Sequence, residues 1–470
     1  MLILFSDIML LHYHALNARF ILNKGSLLKS KRDSCLLVKH LIVGSIIYFG
    51  TSAYANEWMN DTVSDCQIWN TAKNVQRVSW TGGCTDGKAN GKGLLKLILA
   101  DNNEEHYLGT LISGKANGMG QYQWPNMSMY KGEFIDSVRS GHGKYIFPDG
   151  SYYEGQFLNG QRTGKGKFIW PDVGQYEGDF IDGIQVGTSK FIWPDGSVYQ
   201  GDFVNGVRTG YGVLTYPDKS HYNGNFIDGK QTGKGKITWI SGNTYEGDFV
   251  DGTPNGNGRF VWKNKNVYEG NFMHGQPAGK GKFVWANGNS YQGDFIDAKP
   301  HGQGTFIWID GNEYDGDFNN GQQTGKGKLI YADGSSYTGD FTNGIQTGKG
   351  LFIWPDGMRY EGHFVNEVKS GKGKFTWPDN SSYEGVFQKG NPSTKGKHTW
   401  SNGMIYEGNI VHNKKEGFGK MSIPRALYSS TFSNNGNWEG DYFVYEGIFA
   451  GDAFVTPCKT SSQCKRAEKQ

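Results

Sequence analysis

No cysteine lies anywhere between residues 107 and 428 of this 470-residue chain. That stretch therefore holds no disulfide and no thiolate-ligated metal. Histidine is sparse and scattered: His106, His142, His221, His274, His301, His363, His398 and His412 recur in no His-x-x-x-His pair and no His/Asp/Glu cluster. No Ser-His-Asp or Cys-His arrangement is legible, and nothing outside 107–428 is long enough for a familiar catalytic domain. Gly-Lys pairs abound, but none is followed by the Ser or Thr, at the start of a helix, that a phosphate-binding loop requires. Net charge is nearly absent too. Six of the 48 bases and two of the 45 acids fall in residues 1–55, which leaves 42 against 43 in the remainder. A near-neutral chain gives no electrostatic argument for nucleic acid. The expectation is a non-enzymatic protein with no cofactor and no metal.

What the chain has instead is one sentence said many times. Tyrosine stands at 107, 130, 153, 176, 199, 222, 245, 268, 291, 314, 337, 360, 383 and 406, always 23 residues apart, without an insertion or deletion. A period in this range signals a solenoid or array. With Tyr as position 1, the copy from Tyr153 carries Gly155, Phe157 and Gly160 at positions 3, 5 and 8. Gly164 and Gly166 follow at 12 and 14, then Phe168 and Trp170 at 16 and 18. Neighbouring copies close on Pro-Asp-Gly, as at Pro148-Asp149-Gly150, whereas this one keeps Pro171-Asp172 and then has Val173 and Gly174. Positions 1–5 and 12–18 alternate with period two, the strand signature. Pro-Asp-Gly makes a turn, because Pro presets φ, Asp caps locally and Gly takes positive φ. Each copy reads as a β-hairpin, with its other reversal within positions 6–11.

Alternation sorts the residues onto two faces. One carries the rings and glycines. The other carries acids from the first strand (Glu154, Glu177, Asp179, Glu246, Asp248) and bases from the second (Lys165, Lys167, Lys234, Lys236, Lys326, Lys328). Mid-strand glycine costs up to about 1 kcal/mol, so its regular use implies room for a ring to lie across the strand. Charge pairs across strands add at most about 1 kcal/mol each, so the ring face must dominate stability.

These residues resemble the MORN (membrane occupation and recognition nexus) repeat: YEGDF, a central Gly, Gly-x-Gly, an aromatic and Pro-Asp-Gly. The resemblance covers 107–428, with a degenerate leading copy at Trp80-Thr81-Gly82 and a trailing fragment at Tyr445-Glu446-Gly447-Ile448-Phe449. It implies an all-β fold, an elongated twisted antiparallel sheet of stacked hairpins in a single layer. Such a sheet serves as a scaffold, an oligomerisation module or a lipid-associating surface. Some copies depart from the pattern: Ser189 at position 14, Ala298 and Glu367 at position 8, and Thr394 at position 12.

The flanks complete the organisation. Lys29, Lys31 and Arg32 precede the apolar run Leu41–Phe49 and a small-residue close ending at Ala55. This reads as a signal peptide over 1–55 cleaved after Ala55, with 1–28 either a mis-extended start or a second apolar element; the alternative is a membrane anchor. Export to the periplasm or the cell exterior suits the four remaining cysteines, Cys66, Cys84, Cys458 and Cys464. The natural pairing is Cys66–Cys84 and Cys458–Cys464, with a four-thiol zinc site as the alternative. Segments 56–106 and 429–470 are candidate caps for the open sheet ends.

The live functional candidate is the aromatic ladder at position 18: Trp124, Trp170, Trp193, Trp239, Trp262, Trp285, Trp308, Trp354, Trp377 and Trp400. Either it packs as the sheet's own core, or part of it stacks on a long ligand. The expected role is a scaffold binding a protein partner or a second copy of itself at the cell envelope. The alternative is a surface for membrane lipid or cell-wall glycan.

Overall fold

The computed structural model describes residues 56–411, 414–429 and 436–458. The leader with Ala55, together with Cys464 and the basic tail, lies outside them. Two compact units divide the chain within the repeats, one ending at Lys263 and the other starting at Asn264. Over the repeats each is an antiparallel meander in which successive strands pair. In the first, Met129–Ile135, Val138–Ile146, Tyr152–Leu158, Gln161–Trp170 and Gly174–Ile181 follow one another in this way. In the second, Ser290–Ile296, Lys299–Ile307, Glu313–Asn319 and Gln322–Ile330 do the same. A 3-10 turn at Arg425–Leu427 is the one helical element among the described residues.

Two different turns join the strands, and the sequence specifies both. Leu158 pairs with Gln161 around Asn159 (φ 50°) and Gly160 (φ 79°). Two successive positive φ values define the type I′ turn that Asn-Gly and Asp-Gly favour, so the reversal expected within positions 6–11 narrows to positions 7 and 8. At the other end, the Trp193 N–H donates to the Ser197 carbonyl (2.9 Å) and the Gly196 N–H to the Trp193 carbonyl (3.0 Å), with Gly196 at φ 88°. This is a three-residue loop, a type I turn closed by a left-handed residue. Between the turns each hairpin has one register shift, such as that at Gly155/Gln156.

The tyrosines explain the mid-strand glycines. Each array Tyr is almost wholly buried. Its ring folds back over the Gly at position 3 and the facing Gly at position 14. A Cβ on Gly166 would lie 2.3 Å from the Tyr153 ring, and one on Gly258 2.4 Å from that of Tyr245. The Tyr153 hydroxyl donates to the Gln156 carbonyl (3.0 Å). Phe157 and Phe180 then meet the Tyr153 ring edge-to-face at 5.2 and 5.0 Å. The pattern repeats within each unit: Phe226 sits between Tyr222 and Tyr199, and Phe341 between Tyr337 and Tyr314. Such edge-to-face pairs add about 0.5–1.5 kcal/mol each beyond burial. This alternating ladder is the core.

Variation between copies is itself structured. Where position 19 is Pro, as at Pro148, Pro217 or Pro355, the preceding copy mostly has Ser at position 22. Where position 19 keeps its N–H, position 22 is usually Asn, and its side chain accepts that hydrogen. Lys263 donates to Asn243 (2.9 Å), Ala286 to Asn266 (2.9 Å), Ile309 to Asn289 (2.9 Å) and Ala332 to Asn312 (2.8 Å). A buried amide oxygen is kept only where a donor exists to satisfy it.

The departures are absorbed locally. The Ser189 hydroxyl bonds the Tyr176 hydroxyl (2.8 Å) in the space the missing glycine would leave. Ala298 (φ 60°) and Glu367 (φ 66°) still take the left-handed turn, and their N–H groups bond the Pro277 and Gln346 carbonyls as a glycine would. The Thr394 side chain lies outside the described residues; in the same copy Tyr383 has the one buried side-chain polar atom without a partner among the described residues.

The leading copy is complete in geometry. Trp80 replaces the tyrosine: its indole lies over Gly82 and Gly93, and its Nε1 donates to the Gly83 carbonyl (3.0 Å), the bond a Tyr hydroxyl makes elsewhere. Cys84 holds the Phe position and is bonded to buried Cys66. A disulfide thus stands where the ring ladder begins. Cys458 is also disulfide-bonded.

Candidate interaction surfaces

Three rows of side chains run across the repeats outside the Tyr/Phe core. On the polar face, acids and bases meet as neighbours across strands. Lys165–Asp179 (2.7 Å), Lys167–Glu177 (3.2 Å), Lys234–Asp248 (2.7 Å), Lys236–Glu246 (3.3 Å) and Lys280–Asp294 (2.8 Å) are examples. The lysines are largely exposed, so each pair contributes at most about 1 kcal/mol. The comb is charge-balanced and offers no one-signed field.

The same face carries a row that the sequence reading passed over. Position 6, beside the type I′ turn, is Ile112, Ile135, Leu158, Ile181, Val204, Ile227 and Val250 in the first unit. These side chains are 51–59% exposed. Parity could have found them, since position 6 shares its face with the acids at 2 and 4, where an apolar residue has no core to enter. In the second unit Met273, Ile296, Val365 and Val411 continue the pattern, but Asn319, Thr342 and Gln388 interrupt it. An unbroken exposed aliphatic row over seven repeats is a candidate interaction surface.

The third row is the aromatic ladder, and the structure places it between the two alternatives weighed from sequence. Every Trp at position 18 is half-buried. Ring partners occupy its faces: Trp124 lies 4.6 Å from Tyr122 and 5.4 Å from Tyr145, and Trp170 4.0 Å from Phe168 and 6.2 Å from Phe191. Trp193 stands 4.7 Å from Phe191, Trp239 5.4 Å from Phe260, and Trp262 4.4 Å from Phe260. Trp285 touches Phe283 and Phe306, and Trp308 touches Phe306. The ladder stacks on itself and presents edges to solvent.

Position 10 fills the space between the two ring rows. Arg139 lies 5.2 Å from the Tyr145 ring, Arg162 5.2 Å from Phe168 and Arg208 5.1 Å from Trp193. The Arg162 and Arg208 guanidinium groups donate to the Gly183 (2.9 Å) and Gly229 (2.7 Å) carbonyls of the next copy. Burial pushes Arg162 down to about 10, so it stays charged at neutral pH. Elsewhere Gln231 and Gln346 take this place and bond the Tyr216 and Tyr331 hydroxyls (2.8 and 2.6 Å). These side chains tie one repeat to the next.

Among the described residues no three His, Cys, Asp or Glu side chains gather as a metal site, and no helix is long and apolar enough to cross a membrane.

Comparison with protein families matches the MORN repeat at 107–127, 130–152, 153–172, 176–198, 199–221, 222–244, 245–267, 268–290, 291–313, 314–336, 337–359, 360–382, 383–405 and 406–424. No curated protein matches the chain. Similar solved structures include the SAS-4 (dCPAP) TCP domain of Drosophila melanogaster, at 15% identity and TM-score 0.24, covering 33% of this chain and 84% of that one. The TCP10 domain of Danio rerio CPAP is 12% identical with TM-score 0.16, covering 52% and 95%. Virginiamycin B lyase from Staphylococcus aureus is 12% identical with TM-score 0.11, covering 55% and 94%. Scores this low carry no argument about fold or function.

Proposed function

We propose that this chain, which belongs to the MORN-repeat family, is a non-enzymatic scaffold that binds a protein partner, or a second copy of itself, at the cell envelope. MORN repeats are generally protein- and membrane-interaction modules. The observation that carries the reading is the unbroken position-6 row from Ile112 to Val250. It is apolar, regularly spaced and flanked by a neutral comb of paired charges. A partner meets both apolar area for affinity and polar groups for register there. The basic and apolar leader and the paired cysteines support export to the periplasm or the cell exterior, with anchoring by the leader as the alternative.

Lipid or glycan is the second reading. Sugar stacking on the ladder is disfavoured because neighbouring rings already occupy the indole faces. Lipid would use the aliphatic row instead.

The test is a triple variant, Ile135→Lys, Ile181→Lys and Ile227→Lys. Sedimentation velocity and pull-down from the native envelope compare it with wild type, alongside thermal unfolding and liposome flotation. The expected result is lost association at an unchanged melting temperature. Association that survives the substitutions sinks the proposal, and liposome binding lost in the variant replaces it with the lipid reading.

A further inference from the structure

Near the end of the array the ring ladder runs through three consecutive tryptophans. Phe352, Trp354, Phe375, Trp377, His398 and Trp400 form one stack, with successive centroids 4.5, 5.4, 4.9, 5.3 and 4.2 Å apart. Flat stacking of a further ring is blocked, because the stack fills its own faces. What remains is an edge, and it carries a donor. The indole N–H groups of Trp354, Trp377 and Trp400 make no hydrogen bond within the described protein. Tyr383 has the only buried polar side-chain atom without a partner there, so these three N–H groups face solvent. Alongside them stands a cation without a counterion. Lys369 lies 5.3 Å from the Trp354 ring and 5.0 Å from Phe375, and no carboxylate among the described residues pairs with it.

The spacing of these donors selects a ligand conformation. One repeat is two strands, so equivalent atoms advance about 9.6 Å per copy. A polyproline II helix has three residues per turn at about 3.1 Å each, or about 9.3 Å. It returns the same face to the ladder once per repeat, slipping by less than about 1 Å over three copies. A β-strand of three residues covers a similar length but turns its side chain to the opposite face. Seven residues of α-helix advance about 10.5 Å and fall out of step sooner. Polyproline II backbone makes no internal hydrogen bonds, so its carbonyls are free to accept from the indoles. Accumulating sheet twist confines the match to a few repeats.

We infer that the edge formed by Trp354, Trp377 and Trp400 binds a proline-rich segment of a partner protein in polyproline II conformation, with an acidic residue at the Lys369 end. The indole N–H groups donate to ligand carbonyls once per turn, the prolines lie along the ring edges, and the acid pairs with Lys369. This deepens the scaffold reading by naming a partner class, and rests on it.

The test titrates the full-length chain into a fluorescein-labelled synthetic peptide, Asp-Asp followed by four Pro-Pro-Ala units, and follows anisotropy. The variant W354F/W377F/W400F removes three N–H donors and keeps the ring stack. Phe147 holds the same position in another copy, so the change is compatible with folding, and thermal unfolding checks it. Losing three hydrogen bonds weakens binding at least about tenfold, given about 0.5–1.5 kcal/mol each. K369Q leaves the stack untouched and weakens binding several-fold, with reduced salt dependence. No wild-type binding, equal binding of a peptide with the same composition but no three-residue period, or affinity unchanged in W354F/W377F/W400F each overturns the inference. So does binding of chitohexaose in place of the peptide. If the peptide fails while association through Ile135, Ile181 and Ile227 stands, this inference falls and the scaffold reading survives.

Discussion

The two compact units share a core and differ at their surface. Up to Lys263 the position-6 row is aliphatic in every array copy; from Asn264 onward Asn319, Thr342 and Gln388 break it. Arginine appears at position 10 only in the first unit, at Arg139, Arg162 and Arg208, while Lys369 and Lys415 hold that place in the second. Yet Tyr199 and Tyr337 are equally buried, and each meets its two phenylalanines edge-to-face near 5 Å. The ring ladder sets the architecture in both units, and the rows outside it are free to vary. Differences that the core does not demand are where binding is to be sought.

The comparison can be broken most severely by alkali. Burial holds the hydroxyls of Tyr107, Tyr153 and Tyr199 in one unit, and Tyr337 in the other, up to about 12. In the unfolded chain they titrate near about 10. The folded state binds these protons more tightly, so the contribution is full below about pH 10 and is lost as pH rises toward about 12. Tyrosinate absorbance should appear together with loss of β-structure, in both units. Smooth titration near pH 10 with the fold intact would show the ladder to be open.

Deleting one ring is the next largest effect. Tyr199→Ala and Tyr337→Ala should each cost about 3–5 kcal/mol, judged by hydrogen exchange in the affected repeats. Trp193→Ala, at the half-buried ladder, should cost no more than about half of that. Equal costs for Tyr199 and Trp193 would erase the distinction between the two ring rows.

Smaller changes sharpen the surface difference. Val365→Lys and Val411→Lys, in the interrupted row, should leave association intact where Ile135→Lys, Ile181→Lys and Ile227→Lys abolish it. Ala298→Gly and Glu367→Gly should each stabilise by about 0.5–1 kcal/mol, because glycine takes the left-handed turn without its steric cost. Lys234→Gln and Lys326→Gln, one in each unit, should change stability by less than about 0.5 kcal/mol and less again in high salt. A larger loss would mean that the charged comb carries stability.

Much of this was legible in the sequence. The period, the hairpins, the two faces, the degenerate copy at Trp80 and the reason for mid-strand glycine all followed from alternation and turn chemistry. Those are local rules that a repeat states many times over. The unread parts are non-local. That Asn243 would meet the Lys263 N–H, or that Arg162 would reach the Gly183 carbonyl, depends on what the next copy brings alongside. The Trp row was undecided because periodicity gives a face and not a depth: Trp170 shares its face with Tyr153, yet one is half-buried and the other closed. The aliphatic row was visible at position 6, on the face that its parity shares with the acids at positions 2 and 4.

Hydroxyl-radical footprinting of the dilute full-length chain tests the central claim most directly, because it reads each row separately. A closed ladder beneath an open aliphatic row predicts slow oxidation at Tyr199, Phe203 and Tyr245, and fast oxidation at Ile135, Ile181 and Ile227. Tyrosines oxidised as fast as those isoleucines, or isoleucines as protected as the tyrosines, would contradict it.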